Sequence, residues 1–390
     1  MLPSVRGSAP ATDAAPRSRL NTGYPGLVKS TAMKIVSYTS NIFGWKSTLP
    51  IACAQSLQPL EPAPNLTTAN IRLISTMPTE YDAQILKLDL PEQDALKNDP
   101  ERCSADPAML ESVGRAVGHQ VRIKRDDDPR FVALYTVSEA NPQGDLSDPS
   151  RANVVRTGQA GRERLGTPDE MKAVVQATVV DTAPLPDGVR FFEAAIDDRM
   201  QAYFIAIAPH GGAIEPHTDD EAEHLRRELV SNAYPATMWT CKGYGDELKG
   251  AFDRWHITST DLHPASFPLL QTIDTRTFCY GVAFHGFSKR PGDADLYIGG
   301  GASENLKRAI RNALEAANLP VRIRIATKVD NLKFQGASPE NLINRLAAQG
   351  IHIEQSAEAR TFSENIAKAI ATVYRSPWRR LLCAWTNLVR

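Results

Sequence analysis

No stretch of this chain approaches the ~18 consecutive apolar residues that a membrane-spanning helix requires, so a membrane span is not expected. An excess of either charge is also missing. Lysine plus arginine number 44 and aspartate plus glutamate 45, so no global field draws the protein to nucleic acid or to an anionic surface, and any charge preference must be local. Cysteine is sparse. The five present, Cys53, Cys103, Cys241, Cys279 and Cys383, contain no C-x-x-C pair, which argues against a disulfide framework and a thiolate zinc site; reduced, mostly buried thiols are expected. The arginines between 151 and 164 have no interleaved aromatics, and that stretch reads as a solvated loop rather than a nucleic-acid surface.

What is there is ordinary globular material, 42% hydrophobic and 23% charged over 390 residues, enough for one sizeable core and an accessory domain. Residues 1–68 are the exception. Their prolines at 3, 10, 16, 25, 50, 59, 62 and 64 and their Ala, Ser and Thr content mark a tail and linker that cannot bury enough apolar surface to order itself. Within it, residues 33–54 run from Met33-Lys34 to Ala52-Cys53-Ala54 in the manner of an export signal, but Ser37, Ser40, Asn41 and Lys46 interrupt the apolar stretch. A cytoplasmic location is therefore favoured over export.

Residues 69–166 hold short runs at 71–74, 83–88, 121–124 and 131–137, separated by turn clusters such as 126–129, and predict a small accessory domain of mixed but mostly β structure. From 167 to 376, apolar strands alternate with amphipathic helices. That pattern predicts an α/β domain, a mainly parallel mixed sheet flanked by helices. Thr218-Asp-Asp-Glu221 fits a capping box. Ser338-Pro339-Glu340 fits the start of a helix over 341–349 that Gly350 stops, and residues 377–390 read as a basic C-terminal tail beyond Pro377.

The stretch 202–218 organises this domain: an apolar run, Tyr203-Phe-Ile-Ala-Ile-Ala208, stops at His210, and Gly211-Gly212 let the chain turn so that Glu215 can face the same point. A second apolar strand, 278–284, also ends at a histidine followed by glycine, His285-Gly286. A third, 351–353, ends at Glu354. Strand ends on one edge of a parallel sheet are where such folds place ligands. His210, Glu215 and His285 then make a His2Glu set, a common one for catalytic zinc, and Glu354 is the candidate carboxylate for orienting water and carrying its proton. Arg345 and Arg360 are candidates for binding a substrate carboxylate. His217, His256 and Asn344 are candidate pocket residues. Gly299-Gly-Gly301 lacks the spacing of a phosphate cradle and reads as a structural turn.

His210-Gly-Gly-x-Ile-Glu215-Pro-x-Thr218, His256-Ile-Thr-Ser-Thr260, Phe284-His-Gly-Phe287, Ile298-Gly-Gly300, Asn341-x-Ile-Asn-Arg345 and Ile351-x-Ile-Glu354 together resemble the poly-γ-glutamate hydrolase family, phage-associated zinc enzymes with a carboxypeptidase-like fold. The resemblance spans roughly 190–362. It implies Zn2+ as cofactor, hydrolysis of γ-glutamyl amide bonds, a polyanionic glutamyl polymer or peptide as substrate, His210, Glu215 and His285 as metal ligands, and Glu354 as the catalytic carboxylate. The sequence departs from that pattern at His352, where the family commonly has glutamine. Two other readings stay open: a non-catalytic binding module for polyanionic polymer or wall peptide, and an amidase of the same fold for N-acyl amino acids or wall peptides.

Overall fold

In the computed structural model the described residues are 79–388, apart from 89, 92–93, 141–152, 183–187, 199–201 and 328–331. The tail expected over 1–68, the export-like segment 33–54 and the run 71–74 lie outside them.

The first part is a closed six-stranded barrel. Its elements are β1 (Glu80–Lys87), α1 (Ala95–Asn98), β2 (Arg102–Ala105), α2 (Pro107–Ser112), β3 (Gln120–Arg125), β4 (Val132–Ala140), β5 (Val154–Thr157), α3 (Gln159–Arg164) and β6 (Met171–Gln176). Closure pairs β1 with both β5 and β6 and leaves no free sheet edge to be covered. Inward positions alternate along each strand, so Ala83 and Ile85, Val121 and Ile123, and Ala133, Tyr135 and Val137 fill one interior. Two expectations are corrected here. The domain does not stop at 166, because β6 is the strand that closes the barrel. The arginine-rich stretch is not a solvated loop either, since Arg162 and Arg164 are each only 5% exposed. Arg162 donates to the carbonyls of Thr157 and Pro168.

The second part is a seven-stranded mixed sheet in the order β12-β11-β13-β10-β8-β9-β7. It comprises β7 (Arg190–Ile196), β8 (Phe204–Gly212), α4 (Thr218–Ser231), β9 (Thr237–Tyr244), α5 (Ala251–Trp255), α6 (Pro268–Asp274), β10 (Phe278–Gly286), β11 (Leu296–Gly299), α7 (Glu304–Ala316), β12 (Ile323–Ile325), α8 (Leu332–Gln335), α9 (Leu342–Leu346), β13 (Ala347–Gln355), α10 (Ala357–Arg360), α11 (Ser363–Tyr374) and α12 (Pro377–Leu388). The four central strands β13, β10, β8 and β9 are parallel. β7 and β11 join antiparallel to their neighbours β9 and β13. β8 and β10 are buried along their whole length except the last glycine, as strands covered on both faces must be, and this explains their continuous apolar sequence.

Ala206 and Ala208 face one layer, in which α4, α7 and α11 contribute Leu225, Leu229, Leu306, Ile310, Leu314, Ile366 and Ile370. Helix α7 starts where Ser303 accepts from the Leu306 amide, and its buried Leu306, Ile310 and Leu314 recur every four residues. Ile205 and Ile207 face the other layer, with Trp239, Trp255, Phe267, Leu342 and Ile343. Val132 and Leu134 of barrel strand β4 belong to this same cluster. The barrel thus helps to cover the second face of the sheet. It is not an appendage on a linker.

Three local expectations fail for identifiable reasons. Helix α4 is capped by His217 in the left-handed region at φ 74°, with no side-chain cap, because Thr218 instead donates to the Glu215 carbonyl and Glu221 is drawn into the core. The helix expected over 341–349 is the short α9, capped by Asn341, because from Ala347 onward the chain pairs with β10. The segment after Pro377 is the helix α12, and Cys383 on it forms a disulfide with Cys279 of β10, with Cα atoms 5.7 Å apart. This overturns the expectation of reduced thiols for that pair; the partners are 104 residues apart and carry no local sequence signal. Cys103 and Cys241 are free and buried, as expected.

Candidate metal centre

The C-terminal ends of β8, β10 and β13 lie side by side, and the register sets His285 directly opposite Glu354. At the end of β8 the pairing with β9 shifts between Ala208 and Gly211. Such a bulge re-aims the side chain it carries, here His210. Gly212 takes φ +68°, and a Cβ on Gly211 would meet the Cys241 carbonyl at 2.8 Å, so the turn depends on both glycines. The Glu215 amide then closes back on the His210 carbonyl at 2.8 Å, and its side chain returns to the strand ends.

The result is a buried cluster. His210 Nδ1 lies 3.2 Å from Glu215 Oε2, His285 Nδ1 lies 3.6 Å from the same oxygen, and the two Nδ1 atoms are 3.2 Å apart. The outer nitrogens are committed elsewhere. His210 Nε2 donates to the Ile257 carbonyl at 2.9 Å, and His285 Nε2 lies 3.3 Å from the Ser259 hydroxyl. The proton that His210 gives to Ile257 lies outside, and the Nδ1 atoms of both rings face each other and the Glu215 carboxylate, the position from which a neutral imidazole ligates a cation. Three acceptors facing one point suit a cation, and second-shell bonds to the outer ring nitrogens are how metal-binding histidines are usually oriented. A tetrahedral zinc with bonds of about 2.0–2.2 Å separates its ligands by about 3.3–3.6 Å, so the donor set fits zinc.

Without a cation, the charges of the cluster pair internally. Burial pushes the Glu215 carboxyl up, but His210 and His285 outweigh it and hold it well below the ordinary glutamate value. His210 is raised: burial opposes its charge, and Glu215 more than compensates. His285 is pushed down to about 3, first by burial and then by neighbouring His352. Glu354 is raised, because burial outweighs the hydrogen bond from His352, whose Nε2 is 3.0 Å from Glu354 Oε1. His352 also packs at a tilt against His285, ring centroids 4.4 Å apart.

The remaining sequence candidates divide sharply. Arg360 is 8% exposed, and its Nε and Nη1 are buried without a hydrogen-bond partner. It lies against Gly286, where a Cβ would come within 2.5 Å of Nη1, and its charge acts on Glu215, Glu221 and Glu354. Arg345 does not join it. Its guanidinium donates to the Leu262 carbonyl, and the charges acting on it are Asp274 and Glu340. Asn344 ties loops together: its amide donates to the carbonyls of Gly336 and Ser338, and its oxygen accepts from Gly301. His217 is half exposed and pairs with Asp220 at 3.2 Å. His256, by contrast, enters the cluster. Its ring packs at a tilt against His210, centroids 4.1 Å apart, its Nε2 is 3.8 Å from Glu215 Oε1, and ligand atoms of His210, Glu215 and His256 lie within 4.8 Å of one another.

Sequence reasoning missed two acids here. Glu101, from the barrel, bonds His256; nothing near it in sequence hints at this. Glu221 of α4 is fully buried, accepts from Gln355 Nε2 at 2.5 Å, and is raised well above the ordinary value by burial. It is therefore neutral in the fold at a pH where the unfolded chain ionises it. For an acid raised on folding, stability is complete below about pH 4.3, its unfolded value, and falls as pH rises toward the folded value, by up to about 1.4 kcal/mol per pH unit. Glu221→Gln, which keeps an acceptor for Gln355, is expected to flatten this decline. The check is Tm from pH 4 to 8: the variant should gain on wild type as pH increases, and parallel curves would contradict the assignment.

Among known proteins, the sequence profile described as poly-gamma-glutamate hydrolase matches residues 190–374. A solved bacteriophage poly-gamma-glutamate hydrolase is 19% identical over 48% of this chain and 90% of its own, with a TM-score of 0.36. A zinc-free YNDL structure is 17% identical over 48% and 91%, TM-score 0.37. The metallo-carboxypeptidase from Burkholderia cenocepacia is 10% identical over 56% and 73%, TM-score 0.31. No curated protein matches the sequence. The matched segment contains β8, β10 and β13 with all the motifs that end them, and residues 190–374 match the poly-gamma-glutamate hydrolase family, a family of hydrolases.

Proposed function

We propose that the protein hydrolyses γ-glutamyl amide bonds at a zinc ion held by His210, Glu215 and His285. The observation that carries this reading is the convergence of three metal-ligating groups, 3.2–3.6 Å apart, beside a buried carboxyl and a buried guanidinium whose Nε and Nη1 have no hydrogen-bond partner. When bound, zinc supplies polarisation of a carbonyl and a lowered pKa for water. The side chains supply the rest. Glu354, with its pKa raised by burial, accepts a proton from the attacking water and returns it to the leaving amine nitrogen. His352 Nε2 fixes the Glu354 carboxyl through Oε1. Arg360, a buried cation beside these acids, is the group that pairs with a glutamate carboxylate. The buried cluster excludes bulk water, which strengthens each of these interactions.

The test is metal analysis of the purified protein followed by assay on poly-γ-glutamate, γ-glutamyl peptides and α-glutamyl peptides, before and after chelation. One zinc per chain and chelator-sensitive cleavage confined to the γ-linked substrates are expected. Zinc-loaded protein that leaves γ-glutamyl amides intact overturns the substrate, and a chain that binds no zinc overturns the chemistry.

A further inference from the structure

His256 differs from the other histidines of the centre in what holds it. The ring leaves the sheet on the loop after α5, and its Nδ1 is bonded by Glu101, which lies between α1 and β2 of the barrel. The same carboxylate accepts from the Thr258 amide at 2.7 Å with its other oxygen. Both oxygens of one half-buried carboxylate are thus spent on the His256–Thr258 loop, across 155 residues of sequence. The carboxylate can only accept, so Nδ1–H donates to it, and Nε2 is left facing Glu215 at 3.8 Å. Phe252 stacks on the ring, centroids 4.4 Å apart, and His210 packs against it at a tilt, centroids 4.1 Å apart. The loop itself is gripped by further barrel residues. Arg102 forms a two-pronged pair with Asp261 at 2.9 and 3.0 Å, and Arg164 donates to the carbonyls of Asp253, Arg254 and His256.

We propose that Glu101 is a positioning residue of the hydrolase centre: through His256 Nδ1 and the Thr258 amide it sets the His256 ring against His210 and Glu215, so the barrel is a working part of the centre. Carboxylates that bond the far nitrogen of a histidine at a metal site fix its tautomer and orientation, and their loss costs about 10–100-fold in metal affinity or activity. The proposal rests on the zinc reading above. It adds that a residue outside 190–374 tunes the site.

The experiment is zinc affinity of the full chain by competition with a chromophoric chelator, measured for wild type, Glu101→Ala, Glu101→Gln and Arg102→Met, with Tm recorded for each. Glu101→Ala is expected to weaken zinc binding about 10–100-fold. Glu101→Gln should recover part of this, because its amide oxygen still accepts from one of the two donors. Arg102→Met breaks a neighbouring tie between barrel and loop without touching His256 and is expected to leave zinc affinity unchanged. Wild-type affinity in folded Glu101→Ala, or an equal loss in Arg102→Met, overturns the proposal, since the first denies any role and the second reduces it to docking. If Glu101→Ala does not fold, Glu101→Gln against Arg102→Met decides. A wild type that binds no zinc sinks the zinc reading itself, whereas normal wild-type binding with unaffected variants sinks this inference alone.

Discussion

Glu354→Gln is expected to lower kcat/KM by about 10²–10⁴-fold, the contribution of a positioned general acid–base group, with zinc content unchanged. The expectation follows from where the residue sits. It is opposite His285 in the sheet and 8% exposed, and it is held by His352 rather than by the metal donors. The amide is nearly isosteric, and its oxygen can still accept from His352 Nε2, so the site keeps its shape and loses only the ability to carry a proton. Steady-state kinetics on a γ-glutamyl substrate, with metal content measured on the same sample, make the check. A loss confined to KM would move Glu354 from proton transfer to substrate binding. Full activity would remove it from the mechanism.

His285→Ala is expected to cost at least about 100-fold in zinc affinity, beyond the range of an outer-shell change, and to abolish activity at sub-stoichiometric zinc. His256→Ala should cost less. The contrast tests which third donor completes the site: His285 Nδ1 lies 3.2 Å from His210 Nδ1 and 3.6 Å from Glu215, whereas the nearest approach of His256 to Glu215 is 3.8 Å. A larger loss on removing His256 would reverse the assignment. Because His285 is already neutral in the bare fold, with its pKa near 3, its replacement removes a ligand without removing a buried charge. Thermal stability of the metal-free variant should therefore fall by the lost packing and by the lost contacts of His285 with Glu215 and Ser259.

The strands and their ends were legible in sequence because burial on both faces of a parallel sheet leaves an unbroken apolar run, and each run here stops at a chemically distinctive residue. His210, His285 and Glu354 could be aligned by that reasoning, and the glycines after His210 marked the turn that returns Glu215. The failures share a cause as well. The capping box at Thr218, the helix over 341–349 and the free thiols at 279 and 383 were judged by local patterns, and in each case a distant contact decided. Glu221 was needed in the core, Ala347 paired with β10, and Cys383 met β10 across 104 residues. Arg345 and Arg360 looked equivalent by type and proximity to the last strand, yet only Arg360 turns toward the acids. Glu101 was invisible because the sequence divides where the packing does not: β4 and β10 share one apolar cluster.

The Cys279–Cys383 bond has a topological consequence. It closes a covalent ring that contains His285, Glu354 and Arg360 but not His210, Glu215 or any of the barrel. Half of the centre is thus carried on a loop of chain and half on the strand of chain leading into it. A single proteolytic nick within residues 280–382 leaves the two fragments joined, and they separate only when the bond is reduced. A nick between 213 and 278 instead divides the donors His210 and His285 between two pieces with no covalent tie.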